Sequence, residues 1–298
     1  MQFWKQLRFS IFVLAFIAGL VLGYGQIKPP AAAMVLDESE ITLDQVPQEA
    51  SMQMLLSHIR NMAAVPHHVD SPGLQQTQAY LKAQILQMGF TYEEEKYSLS
   101  IEDIMVIDAL RMENGGKDFH TSPESIRDNG DLGTRQQMAL NNIIVTVDAP
   151  QTEEAVLFVA HTDSVKKGPG AFDDIVSVAA MLEGLRQLQD LTPVRDMVFL
   201  FTDGEEQGLL GAAKYVEDHP DMQAKTRLVI NLEARGNRGG LLMFETSDNN
   251  LELVRSFASS AHHPISLSLA TAVYRSMQND TDFSISELPA IPASTLPS

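Results

Sequence analysis

The sequence predicts an α/β domain with a mostly parallel central sheet and helices on both faces. Two observations carry that prediction. From Asn142 onward, short apolar runs alternate with segments of helical spacing, the order expected of βαβ units. The runs Ala155–Ala160 (AVLFVA), Met197–Thr202 (MVFLFT) and Arg227–Leu232 (RLVINL) are also apolar with little alternation. Strands covered on both faces read that way.

Taken in order, Lys5 and Arg8 precede the apolar run Phe9–Tyr24, whose length falls between a signal-peptide core and a full span. Pro29 and Pro30 separate it from a small-residue cleavage candidate at Ala31–Ala33. An uncleaved signal anchor over 9–25 is therefore expected, with secretion after cleavage as the alternative. The basic flank keeps residues 1–8 in the cytoplasm and places the rest outside it. An acidic linker (26–50) leads to the globular domain, 51–298. Ser51–Ala64 and Gly73–Met88 have helical spacing of apolar residues, with Pro66 and Pro72 breaking between them. Phe90–Leu99, with three glutamates, reads as an exposed edge strand. Ile101–Gln137 has little periodicity and several turn residues, so it reads as a long excursion before a strand at Asn142–Val147. Strand and helix then alternate: Ala155–Ala160, Ile175–Leu188, Met197–Thr202, Gln207–Glu217, Arg227–Leu232. A further helix is expected near Asn250–Ala261.

A formal net charge of -18 argues against nucleic acid or an anionic membrane surface as a partner. The absence of cysteine excludes disulfides and thiolate metal sites. What remains is a crowd of oxygen and nitrogen donors placed just after the three apolar runs. His161-Thr162-Asp163-Ser164 follows the first, with Gly170-Ala171-Phe172-Asp173-Asp174 close behind. Gly204-Glu205-Glu206 follows the second and Glu233 the third. In open α/β sheets the carboxyl ends of strands are where ligands sit. Several acids converging there repel one another unless a cation neutralises them. Imidazole plus carboxylate donors suit zinc.

The patterns H-x-D-S, G-A-x-D-D, G-E-E-x-G-L-x-G-A, N-L-E-x-x-G and N-D-T-D-F occur in that order between His161 and Phe283. On them the chain resembles the co-catalytic di-zinc metallo-aminopeptidases. It is most similar in style to their membrane-anchored vacuolar and endoplasmic-reticulum subgroup, and fainter similarity reaches back to about Ile59. The resemblance implies a zinc exopeptidase fold and peptide substrates with a free N-terminus. It also implies ligand roles for His161, Asp173 (bridging), Glu206 and Glu233, with Glu205 as the general base. Asp163 is expected to orient the ligating imidazole. Asp280 and Asp282 lie where the family shapes its substrate pocket, although they could equally be loop residues that cap the next helix.

The family's second zinc also takes a histidine from beyond the N-D-T-D-F stretch. No histidine follows His263 here. One complete zinc site, made by His161, Asp173 and Glu233, is therefore expected where the family holds two. A C-terminally incomplete domain is expected too. Two other classes stay open: a single-zinc acyltransferase like glutaminyl cyclase, and a non-catalytic remnant.

Overall fold

The computed structural model describes residues 52–113, 116–117, 136–150, 152, 154–233, 241–247, 249–261, 264–277 and 280–286. All belong to one compact unit spanning Val46–Ser298. The apolar run Phe9–Tyr24, the linker, His262, His263 and the last twelve residues lie outside them. Among the described residues no helix is long and apolar enough to cross a membrane.

Two helices open the domain, α1 (Met52–Met62) and α2 (Pro72–Gln87). The Ser71 side chain caps the second by accepting from the Leu74 amide, and Pro72 occupies the first turn, where its missing N–H costs nothing. Strand β1 (Glu93–Ser100) follows, then α3 (Ile101–Glu113), β2 (Gln137–Val147) and β3 (Ala155–His161). Helix α4 (Val176–Leu188), β4 (Asp196–Thr202), α5 (Leu210–Asp218), the single turn α6 (Met222–Lys225) and β5 (Thr226–Asn231) complete the central alternation. A short pair, β6 (Leu242–Met243) and β7 (Ile265–Ser266), brackets α7 (Leu251–Ser260). Helices α8 (Ser268–Ser276) and α9 (Asp282–Ser286) come last.

The five long strands form one sheet in the order β1-β2-β4-β3-β5. Strand β3 runs parallel to both β4 and β5, whereas β2 pairs antiparallel with β4 and with β1. The sheet is therefore mixed, which corrects the expectation of a mostly parallel one. Apolar content reports burial of a strand and is silent about its direction.

Two cores cover the two faces. Leu140, Ile144, Leu157, Val159 and Leu200 point to one, which α3 and α5 close with Ile104, Ile107 and Leu210. Ile143, Val145, Ala160, Phe199 and Phe201 alternate to the other, closed by α1, α2 and α4 through Met62, Leu81, Ile85 and Leu182. Helices thus lie on both faces, as expected. The excursion at Ile101–Gln137 begins with α3, an element its sequence did not announce. The inward stripe is Ile104, Ile107 and Arg111, and an arginine in a core position breaks the apolar period.

Candidate metal centre

Because β3, β4 and β5 are mutually parallel, their carboxyl ends share one edge of the sheet. His161 is the last residue of β3. Glu205 and Glu206 follow Thr202, the last of β4, and Glu233 follows Asn231, the last of β5. Between β3 and α4 the chain makes a π-type turn over Ala171–Ile175 that carries Asp173 and Asp174, joined by a cis peptide bond. Gly170 precedes this turn with φ 56°, and a Cβ there would lie 2.8 Å from both Ser164 Cβ and the Asp173 carbonyl oxygen. Only glycine lets the loop close this tightly on the strand end.

His161, Asp173 and Glu233 each offer a ligand atom within 4.8 Å of the others. His161 Nε2 lies 3.1 Å from Asp173 Oδ1 and 3.9 Å from Glu205 Oε2. Its Nδ1 faces the Asp163 main-chain oxygen at 3.0 Å, with the Asp163 carboxylate at 3.6 Å. With the proton on Nδ1, Nε2 is left as a lone-pair donor directed at the acids. Glu206 stands beside this triad without joining it, and among the described residues no second group of three donors forms.

Asp163 does more than orient the imidazole. Its Oδ1 accepts the Glu205 amide at 3.0 Å and its Oδ2 the Glu206 amide at 3.2 Å. It thereby ties the turn after β4 to the end of β3. Asp174 Oδ2 accepts the His161 amide at 3.3 Å. Asp280 and Asp282 are both buried, so neither presents an open substrate surface. Asp282 Oδ2 accepts from Thr202 Oγ1 at 2.5 Å, while Asp280 meets Arg111.

Two residues that sequence reasoning passed over, His67 and Thr202, brace the site. The His67 amide donates to Ser164 Oγ at 3.0 Å, and the Ser164 amide returns a bond to the His67 carbonyl. Thr202 links β4 to both Asp282 and Thr162.

The electrostatics of the cluster suit a cation. Burial pushes the Glu205 and Asp174 carboxyls well up, and neighbouring acids add to it. Glu206 is raised to about 7 by burial and then by the Asp163 charge. Burial lifts Asp282 to about 6. Burial alone would lower the His161 imidazole, but the Glu205, Asp163 and Asp173 carboxylates outweigh it and hold it well above its ordinary value. Without a cation these groups compete for protons, and a divalent metal would take the protons' place. The buried Asp174 Oδ1 and Asp282 Oδ1 have no hydrogen-bond partner, which fits a site that needs added positive charge. Zinc binding is therefore expected to release about one to two protons near pH 7 and to weaken as pH falls. Calorimetry in buffers of different ionisation enthalpy measures this, and zinc uptake without proton release contradicts it.

An imidazole and several buried acids at the carboxyl edge of parallel strands define a candidate metal centre on an α/β domain with helices on both faces of its sheet. Residues 142–298, more than half of the chain, match peptidase family M28. The chain belongs to that family of zinc peptidases and is a metallopeptidase by descent. It is 38% identical over 151 residues to endoplasmic reticulum metallopeptidase 1 of Mus musculus, covering 49% of this chain and 17% of that protein. It is 35% identical over 150 residues to the vacuolar membrane protease of Saccharomyces cerevisiae, covering 49% and 15%. The chain thus spans less than a fifth of these relatives. Among solved structures, the aminopeptidase from Aneurinibacillus sp. strain AM-1 superposes with a TM-score of 0.58 at 16% identity, covering 81% of this chain and 84% of that one. Porphyromonas gingivalis glutaminyl cyclase gives 0.53 at 14%, covering 78% and 82%. At such identities these likenesses speak for the fold.

Proposed function

We propose that the protein is a zinc exopeptidase that removes N-terminal residues from peptides, with Glu205 as general base. The observation that carries this reading is the placement of Glu205 Oε2 3.9 Å from His161 Nε2, beside the one described triad able to hold a metal. His161, Asp173 and Glu233 would hold a zinc ion, and Glu206 would assist a second at the shared Asp173. The metal supplies a polarised carbonyl and a water of lowered pKa. Glu205, whose carboxyl burial holds well above its ordinary value, takes a proton at its carboxylate and returns it to the leaving amine. Asp163 fixes Glu205 through the main chain, so the side chain stays free for that transfer. The surplus acids are suited to hold a substrate ammonium.

The N-terminal run Phe9–Tyr24 is read as a signal anchor that leaves the domain extracytoplasmic. Its support is the basic flank and the kinship with a vacuolar membrane protease. A second reading, a one-zinc glutaminyl cyclase, has support from the glutaminyl cyclases among the structural neighbours and from the single triad among the described residues. Release of nitroaniline from aminoacyl-nitroanilides, with and without zinc, tests the first reading. Cyclisation of an N-terminal glutamine peptide tests the second. Dialysed protein is expected to retain about one zinc, since catalytic sites ordinarily use three protein ligands. Two retained zinc ions would show that a ligand outside the triad completes a second site.

A further inference from the structure

We propose that Arg111 is a positioning residue for the general base, acting through Asp280, α9 and Thr202. This rests on the reading of Glu205 given above. The Arg111 side chain is 1% exposed, and a guanidinium so completely removed from water persists only with charged partners. It has two. Asp108, one turn earlier on α3, pairs with Nη2. Asp280, 169 positions later in the chain, lies 3.6 Å from Nη1.

The chain after α3 is shaped around this arginine. The Gly116 amide donates to the Arg111 carbonyl at 2.9 Å. A Cβ at Gly116 would fall 2.5 Å from Arg111 Cγ, so a larger residue would push the turn off. The turn delivers the Lys117 amide to Asp280 Oδ2 at 3.3 Å. The Lys117 ammonium then donates to the Tyr274 carbonyl at 3.1 Å and stands 4.1 Å over its ring. A guanidinium and a main-chain N–H thus converge on one carboxylate.

From Asp280 the bonds continue towards the site. Its Oδ1 accepts from the Thr281 amide at 3.2 Å and from the Ser284 hydroxyl, which sets the first turn of α9. That turn carries Asp282, and Asp282 Oδ2 accepts from Thr202 Oγ1 at 2.5 Å. Thr202 ends β4, three residues before Glu205. Its carbonyl accepts both the Thr162 amide and the Thr162 hydroxyl at 2.8 Å, next to His161. A shift at Arg111 therefore reaches the base and the metal ligand through the ion pair at Asp280, the hydrogen bonds that join α9 to Thr202 and Thr202 to Thr162, and the main chain that runs from these two threonines to Glu205 and His161. An arginine that only anchored α3 would need Asp108 alone.

The test measures kcat, KM and bound zinc in the full chain for Arg111→Lys and Arg111→Gln. Turnover is counted per zinc-loaded molecule. Lysine keeps the charge but not the fork that meets both aspartates. We expect KM and zinc affinity within about threefold of wild type, with kcat lower by about 3- to 10-fold for lysine and 10- to 100-fold for glutamine. Amide hydrogen exchange at Glu205 and Glu206 should quicken in both variants, while that of Ile143–Val145 stays slow. Unchanged kcat and unchanged exchange at Glu205 and Glu206, with only a lower melting temperature, would overturn the proposal. Should the glutamine variant fail to fold, the lysine variant decides on the same terms. Should the zinc-loaded wild type hydrolyse nothing, the reading of Glu205 fails, and the exchange measurement alone decides for Arg111.

Discussion

Glu205→Gln is expected to abolish zinc-dependent hydrolysis while leaving fold and metal in place. The bond that positions residue 205 runs from its amide to Asp163, so it survives the substitution. The amide side chain has nearly the same shape and cannot accept the proton. Loss of a general base costs about 10²–10⁴ in rate, and more where no neighbour substitutes. One acid fewer in a cluster whose members raise one another's pKa also relieves repulsion. The variant should therefore melt at or above the wild-type temperature. Glu206→Gln should behave differently: the triad of His161, Asp173 and Glu233 remains, and turnover drops without disappearing. Zinc lost from the Glu205 variant but kept in the Glu206 variant would exchange the two roles.

Asp163→Ala is expected to lower stability, zinc affinity and turnover together. The carboxylate is fully buried, and both oxygens are occupied by the amides of Glu205 and Glu206. Alanine leaves the buried Glu205 amide without its acceptor, at about 1–3 kcal/mol, and the half-buried Glu206 amide as well, at less. It also frees the imidazole and the base turn, and loss of such support costs about 10–100-fold in metal affinity or activity. One effect opposes these. Asp163 raises the Glu206 pKa through its charge, so its removal relaxes the acids. We expect the unpaired amides to win, because the carboxylate they lose is 0% exposed, so solvent reaches its place poorly. Asp163→Asn keeps one acceptor and should fall between. Thermal melts and chelator competition on the two variants decide; a rise in melting temperature for alanine would mean that charge relief dominates.

β3 and β4 were readable because each lies inside the sheet and ends in a buried apolar run, and the half-buried edge strand β5 by its short run Leu228–Ile230. Their direction was not. β2 runs antiparallel to β4, although its buried residues look no different from those of β3. Helix α3 was hidden by Arg111, which spends a core position on a charge whose partner lies in the last part of the chain. The donors themselves, His161, Asp173, Glu205, Glu206 and Glu233, stood out because acids after apolar runs have few bland explanations. The groups that hold them did not. The bond between His67 and Ser164 spans 97 positions, and that between Thr202 and Asp282 spans 80. No local pattern encodes such a pairing. Asp163 was read as serving the imidazole, yet the amides that occupy its oxygens arrive from 42 and 43 residues away.

The pairing of β3 with β5 has a consequence for how this site tolerates change. Val159 stands opposite Asn231, and the Leu232 amide still bonds to the Val159 carbonyl. Counting two residues onward on each strand sets Glu233 opposite His161. The meeting of these two donors is thus decided by main-chain bonds that take no account of either side chain. Surface loops before and after the sheet can lengthen or shorten without moving it. A bulge at Arg227 already takes up one residue at the start of β5, but a residue inserted within Leu228–Asn231, which pairs without interruption, cannot be absorbed in the same way, since side chains alternate along a strand and a slip of one turns every later residue to the opposite face. Such an insertion would aim the carboxylate at position 233 into a helix layer and bring a leucine to the imidazole, silencing the centre while every donor is still present in the chain.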